Sequence, residues 1–269
     1  MPSGVPRVRL AVRRFLVLLV LFALAGLALW TAVFRPKLTA VERGRRLAEA
    51  TGCFGCHGPD GMEGTANPGR PENKVPSYKA LMMFAKNEEE VREWIRDGVP
   101  ATRAKSETWK ANVKAGALRM PAFGKRLSPT QIDDLVAFVM TVSGETAPED
   151  SLADAGREKA HELGCTGCHG PGGQFARSNP RSLKGYVPPW DGGDFPDLVK
   201  DRQEFDEWVT RGKTKRFETN PLAMFFLRRA ALHMPGYERF LKPGDLDALW
   251  AYVQWLRGSR TSAPADSAG

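Results

Sequence analysis

The chain has 269 residues, 42% hydrophobic, 26% charged and 9% aromatic, with a formal net charge of +8. That length allows one large domain or two small ones, and the composition excludes wholesale disorder, a collagen-like repeat and a many-spanning membrane protein. Four cysteines are too few for a disulfide scaffold, while 39 Lys and Arg against 31 Asp and Glu raise nucleic acid or anionic lipid as partners.

Residues 15–34 (FLVLLVLFALAGLALWTAVF) carry no charge over 20 positions. At ~1.5 Å per residue this is about 30 Å of helix, the thickness of a bilayer core. Arg7, Arg9, Arg13 and Arg14 precede the run, and Arg35 and Lys37 follow it. This bias predicts a cytoplasmic N-terminus with the remainder outside. A cleaved signal peptide stays open, with a small-x-small site at Ala23-Leu24-Ala25. The run exceeds the usual ~7–15-residue signal core, so a retained single-pass anchor on the inner membrane is expected. Both readings put residues 38–269 on the periplasmic, oxidising side. Residues 1–37 hold six basic and no acidic residues, leaving 33 basic and 31 acidic in the rest. The basic excess is therefore a topology signal, and nucleic acid is not an expected partner.

The remainder repeats itself. Cys53-Phe54-Gly55-Cys56-His57 matches Cys165-Thr166-Gly167-Cys168-His169 at a shift of 112. Gly44 and Gly156, Asn67-Pro68 and Asn179-Pro180, and Val75-Pro76 and Val187-Pro188 keep that shift. From Trp94 and Trp208 the shift is 114, through Met120-Pro121 and Met234-Pro235. Residues 127–144 match 241–258 with 7 identities in 18. The expected organisation is an anchor with its flanks (1–37), two copies of one small domain (38–146 and 147–258) and a disordered tail (259–269).

Each copy reads as all-α. Thr39-x-x-Glu42 and Ser151-x-x-Asp154 look like capping boxes before the cysteine pairs. Asn87-x-x-Glu90 and Asp201-x-x-Glu204 open a second helix, whose apolar faces are Val91, Trp94, Ile95 and Phe205, Trp208, Val209. Ser128-Pro129-x-Gln131 opens a third, with Ile132, Leu135, Val136 and Val139 at helical spacing and Leu246, Leu249, Trp250 and Val253 in the second copy. No long period-two alternation occurs, so no sheet is expected, and the rest of each copy reads as Gly/Pro-rich loop. Three helices in about 110 residues leave a thin core that a cofactor would fill.

C-x-x-C-H is the attachment signature of c-type haem. Thiols one helical turn apart can form thioethers with two vinyl groups of one porphyrin, and the next residue aims its imidazole at the iron. A zinc site made from both pairs is the first rival, but each pair sits in its own repeat and is followed by His. A redox dithiol would need a βαβ context that is absent. The signature predicts two covalently bound haem c, on Cys53, Cys56 and His57, and on Cys165, Cys168 and His169. Met120 lies 63 residues after His57, and Met234 lies 65 after His169. Lone methionines are usually core filler, but these recur at matched positions before Pro, so they are the candidate sixth ligands. His233 is a variant of that assignment. Tyr78 and Trp190 are matched aromatics expected to line the pockets. The basic cluster Arg211, Lys213, Lys215, Arg216, Arg228 and Arg229 reads as a solvated face, or as a site for propionates or an acidic partner. Leu222–Leu227 reads as core or as an apolar contact surface.

At these residues each copy resembles a class I cytochrome c domain, and the whole resembles membrane-anchored dihaem cytochromes c. In that family a glycine of the first helix packs on an aromatic of the last, a pattern matched by Gly44 with Phe138 and Gly156 with Tyr252. The long intervals 99–119 and 213–233 depart from it. The resemblance implies an electron carrier with no catalytic residue, exchanging single electrons with a redox-protein donor and acceptor of a respiratory or photosynthetic chain, as a subunit or close partner of a multisubunit membrane complex. The rivals are a dihaem peroxidase-like enzyme and a haem-based sensor, each needing an open or exchangeable iron position.

Overall fold

A computed structural model describes residues 5–34, 38–144 and 146–258. Contacts divide the chain into two compact units, Met1–Lys37 and Leu38–Gly269. The first holds α1 (Val5–Phe34), whose stretch Val12–Thr31 has mean hydropathy 2.3 and no buried side chain. By length and composition it fits a membrane span and an export signal alike. Arg35, Lys37 and the C-terminal tail lie outside the described residues.

In the second unit the first copy runs α2 (Ala40–Ala50), α3 (Cys53–His57), α4 (Glu88–Asp97), α5 (Ala101–Ala104), α6 (Glu107–Ala115) and α7 (Pro129–Ser143). The second repeats the order as α8 (Ser151–Glu162), α9 (Cys165–His169), α10 (Phe195–Leu198), α11 (Arg202–Arg211), α12 (Lys215–Glu218), α13 (Pro221–Arg229) and α14 (Asp245–Gly258). Only α10 lacks a helical counterpart, its place being taken by a 3-10 turn at Tyr78–Met83. The fold is helical, apart from an antiparallel ribbon of two residues per strand, β1 (Arg177–Ser178) with β2 (Tyr186–Val187).

The caps follow local chemistry. Asn87, Asp201 and Ser128 accept the amides of Glu90, Glu204 and Gln131, each offsetting about 1 kcal/mol of unpaired helix end. Ser128 and Gln131 form a complete reciprocal box. Two expectations need correction. Thr39 caps α2, but Glu42 does not return the bond; buried at 1% exposure, it takes Arg45 and Arg46 instead. The cap of α8 is Asp150, one residue before the expected Ser151, because its carboxylate reaches the Ala153 amide. The intervals read as loop hold four helices, α5, α6, α12 and α13. Ser106, Thr214 and Asn220 cap three of them with side-chain oxygens.

In each copy the core forms where the first helix crosses the last, α2 on α7 and α8 on α14. Arg43 bridges α2 to α7 through two 2.8 Å bonds to Asp134, and Lys159 lies 3.5 Å from Asp245 at the other crossing. Val91, Ile95, Phe205 and Val209 are buried as their spacing predicts.

The copies share core. Phe175, in the loop after α9, is 0% exposed and packs in the first copy's cluster with Phe138. The Thr141 hydroxyl donates to Gln174 Oε1 at 3.3 Å, and Arg177 lies 3.8 Å from Asp60.

Candidate functional site

The single-turn helices α3 and α9 set Cys53 with Cys56, and Cys165 with Cys168, three residues apart on one helix face. None of the four is in a disulfide. Burial pushes the Cys53 thiol up and the Cys165 thiol to about 11. Among the described residues, no group of three or more His, Cys, Asp or Glu is arranged to hold a metal, so the two pairs do not converge on a shared zinc position.

His57 closes α3, and its Nδ1 lies 2.8 Å from the Pro76 carbonyl. A carbonyl only accepts, so the proton sits on Nδ1 and the Nε2 lone pair is left to face a ligand partner. His169 Nδ1 is buried and makes no hydrogen bond of normal geometry. The matched Pro188 carbonyl still favours a proton there, while burial dominates and lowers this histidine to about 4. Burial lowers His57 in the same direction. Both rings are therefore neutral at neutral pH, the form that ligates metal. Tyr78 lies 4.9 Å from the His57 ring and Trp190 4.9 Å from the His169 ring, so the matched aromatics do border the histidines. The Tyr78 hydroxyl is desolvated, and burial raises its pKa.

The methionine loops are strapped twice. Gly98 and Gly212 end α4 and α11 at φ +78° and +72°. A Cβ there would fall 2.8 Å from the Met120 oxygen and 2.1 Å from the Met234 oxygen, so only glycine lets each loop lie so close. Beyond the methionines, Phe123 N–H donates to the Ile95 carbonyl at 3.0 Å and Tyr237 N–H to the Val209 carbonyl at 2.9 Å. Ahead of them, buried Asn67 donates to the Leu118 carbonyl at 3.1 Å and accepts the Leu118 amide at 2.8 Å. Asn179 makes the same pair with Leu232, at 3.1 and 2.8 Å. Pro68 and Pro180 carbonyls accept from Ala117 and Ala231, both at 3.0 Å. Each asparagine thus fixes the backbone two residues before a methionine. The sequence shows these residues only as repeat markers, and their recurrence beside Pro was the signal.

Replacing Asn67 or Asn179 with alanine removes two net bonds of ~0.5–1.5 kcal/mol each. The expected loss is about 1–3 kcal/mol in thermal or denaturant unfolding of the loaded protein; an unchanged midpoint would refute the clamp.

In the second copy these pieces enclose a cavity of about 530 Å³, lined by Cys165, Cys168, His169 and Met234. Its size is that of a cofactor pocket. Phe195, Phe205, Leu249 and Val253 supply apolar wall, and Lys184, Arg211, Lys213 and Arg228 a basic fringe. Part of the basic cluster therefore faces the cavity. It is also paired: Arg211 and Lys213 with Glu218, and Arg216 with Glu204. Asp194 accepts from Lys184 and Tyr186 on the same wall. Segment 222–227 serves two sides: Met224, Phe226 and Leu227 line the cavity, while Leu222 and Phe225 are exposed. His233 also borders the cavity, its Nε2 2.8 Å from the Leu227 carbonyl, and His161 is exposed on α8. In the first copy, Cys53 and Met120 pack against the same core cluster. In the second copy, thiols outside any disulfide, a neutral imidazole, a strapped thioether and an apolar cavity with a cationic edge fit haem c.

Residues 41–143 match the family model of cytochrome c. The match begins in α2 and ends with α7. A cytochrome c domain implies covalently bound haem c and fits an electron carrier. Comparison with curated proteins and with solved structures returns no match.

Proposed function

We propose that the chain is a dihaem c-type cytochrome held at the outer face of the cytoplasmic membrane by α1, passing single electrons between redox proteins there. The observation that carries this reading is the duplicated frame: α3 and α9 with their histidines, Asn67 and Asn179 with their clamped methionine loops. Cys53 and Cys56 would hold one haem with His57 and Met120 at its iron. Cys165 and Cys168 would hold the other with His169 and Met234. Bound haem c supplies a reversible one-electron Fe(III)/Fe(II) couple. The protein's part is orientation and tuning. Pro76 fixes the His57 tautomer and raises its basicity. A thioether favours ferrous iron and raises the potential. Arg211 and Lys213, which share one partner in Glu218, would supply positive charge for the carboxylate groups of a bound haem. Tethering would raise the effective concentration of membrane-bound donors and acceptors.

The test is haem stoichiometry on the full chain. Two haems per polypeptide that resist extraction are expected, falling to one in Cys165→Ser with Cys168→Ser. A single haem in the unaltered protein would sink the dihaem reading. Carbon monoxide binding to one haem equivalent of reduced protein would favour the peroxidase or sensor reading over the carrier.

A further inference from the structure

The two candidate haem sites meet at one loop. In the first copy the His57 ring lies 4.9 Å from Tyr78, Tyr78 lies 6.0 Å from Phe138, and Phe138 lies 5.6 Å from Phe175. Phe54, beside Cys53, also touches Phe138, at 5.9 Å. Phe175 N–H donates to the His169 carbonyl at 3.1 Å, so the chain of rings ends one hydrogen bond from the second histidine residue. From the second copy Tyr252 reaches the same loop, donating to the Gly172 carbonyl at 3.0 Å. The backbone alone separates the histidines by 112 residues. The position is also asymmetric: the counterpart of Phe175 in the first copy is Glu63, which is exposed.

We propose that Phe175, through Phe138 and Tyr78, carries the electronic coupling between the two haem sites, an inference that rests on the dihaem reading above. Electrons tunnel through packed, bonded atoms more readily than across gaps, and Phe175 is the ring that closes the gap between copies. The step is one electron leaving a ferrous haem and arriving at a ferric one, with no bond made or broken.

The experiment uses the full-length holoprotein with Phe175→Leu and Phe175→Met, which keep an apolar side chain and remove the ring. Haem content, absorption spectrum, unfolding midpoint and both potentials are measured first. Interhaem electron equilibration is then followed after a one-electron photoreduction pulse. Both haems, the spectrum and the potentials are expected unchanged, with equilibration slowed severalfold in whichever variant folds. An unchanged rate in a folded variant would overturn the route, as would a slowing fully accounted for by shifted potentials. Fewer than two haems in the unaltered protein would fail the dihaem reading instead, before any rate is taken.

Discussion

Met120→Ala is expected to remove half of the far-red ferric band that marks thioether ligation of haem iron, and Met234→Ala the other half. Each variant is also expected to lower one of two potentials, because His/Met ligation raises them, and to open one iron to carbon monoxide. The expectation comes from the straps. Each methionine sits two residues beyond an asparagine clamp and directly against a helix-ending glycine, so its loop stays in place when the side chain is shortened. The ligand is then lost without the fold. Absorption spectroscopy with potentiometric titration is the check. If neither substitution altered the band, neither methionine would be at iron, and cavity-lining His233 would become the alternative in the second copy.

Gly44→Ala and Gly156→Ala are expected to be strongly destabilising. At Gly44 a Cβ would lie 1.9 Å from the Asp134 oxygen and 2.8 Å from the Phe138 Cβ; at Gly156 it would lie 1.9 Å from the Ala248 oxygen and 2.9 Å from the Tyr252 Cβ. The obstacles are backbone and the root of a side chain, which no rotamer change relieves. The helices must separate, and the buried faces of α7 or α14 lose contact along their length. The cost is expected at or above the upper end of the ~1–3 kcal/mol typical of overpacking. That corresponds to a fall of about 5–10 °C or more in the unfolding midpoint. Calorimetry of the loaded protein measures it, and an unmoved midpoint would mean that the crossings are not close.

The features legible in the sequence are those enforced at short range or by repetition. Cys53, Cys56 and His57 stand out by their spacing and Met120 and Met234 by recurring at a duplicated position, and the structure brings Cys165, Cys168, His169 and Met234 to one cavity. Asn87, Asp201 and Ser128 cap their helices as read, since capping involves only three residues. The Gly44–Phe138 and Gly156–Tyr252 contacts came from family resemblance and stand at both crossings. Features set by tertiary contact stayed hidden. Phe175 follows Gly-Gly-Gln in a loop with no periodicity, and nothing near it says that it enters the other copy. Helices α5, α6, α12 and α13 are too short for a hydrophobic period to rise above chance, though Ser106, Thr214 and Asn220 marked their starts. Asp150 displaced Ser151 because two good caps stood side by side.

The burial of Phe175 also bears on whether the halves can be separated. A first copy cut after Ser143 would lose an aromatic plug from its core and leave the Phe138 ring facing water over the space that Phe175 fills. The second copy, taken alone, would carry that same phenylalanine as an unshielded apolar knob. Either copy made alone would need a compensating change: a larger side chain near 138 in the first, or a polar residue at 175 in the second.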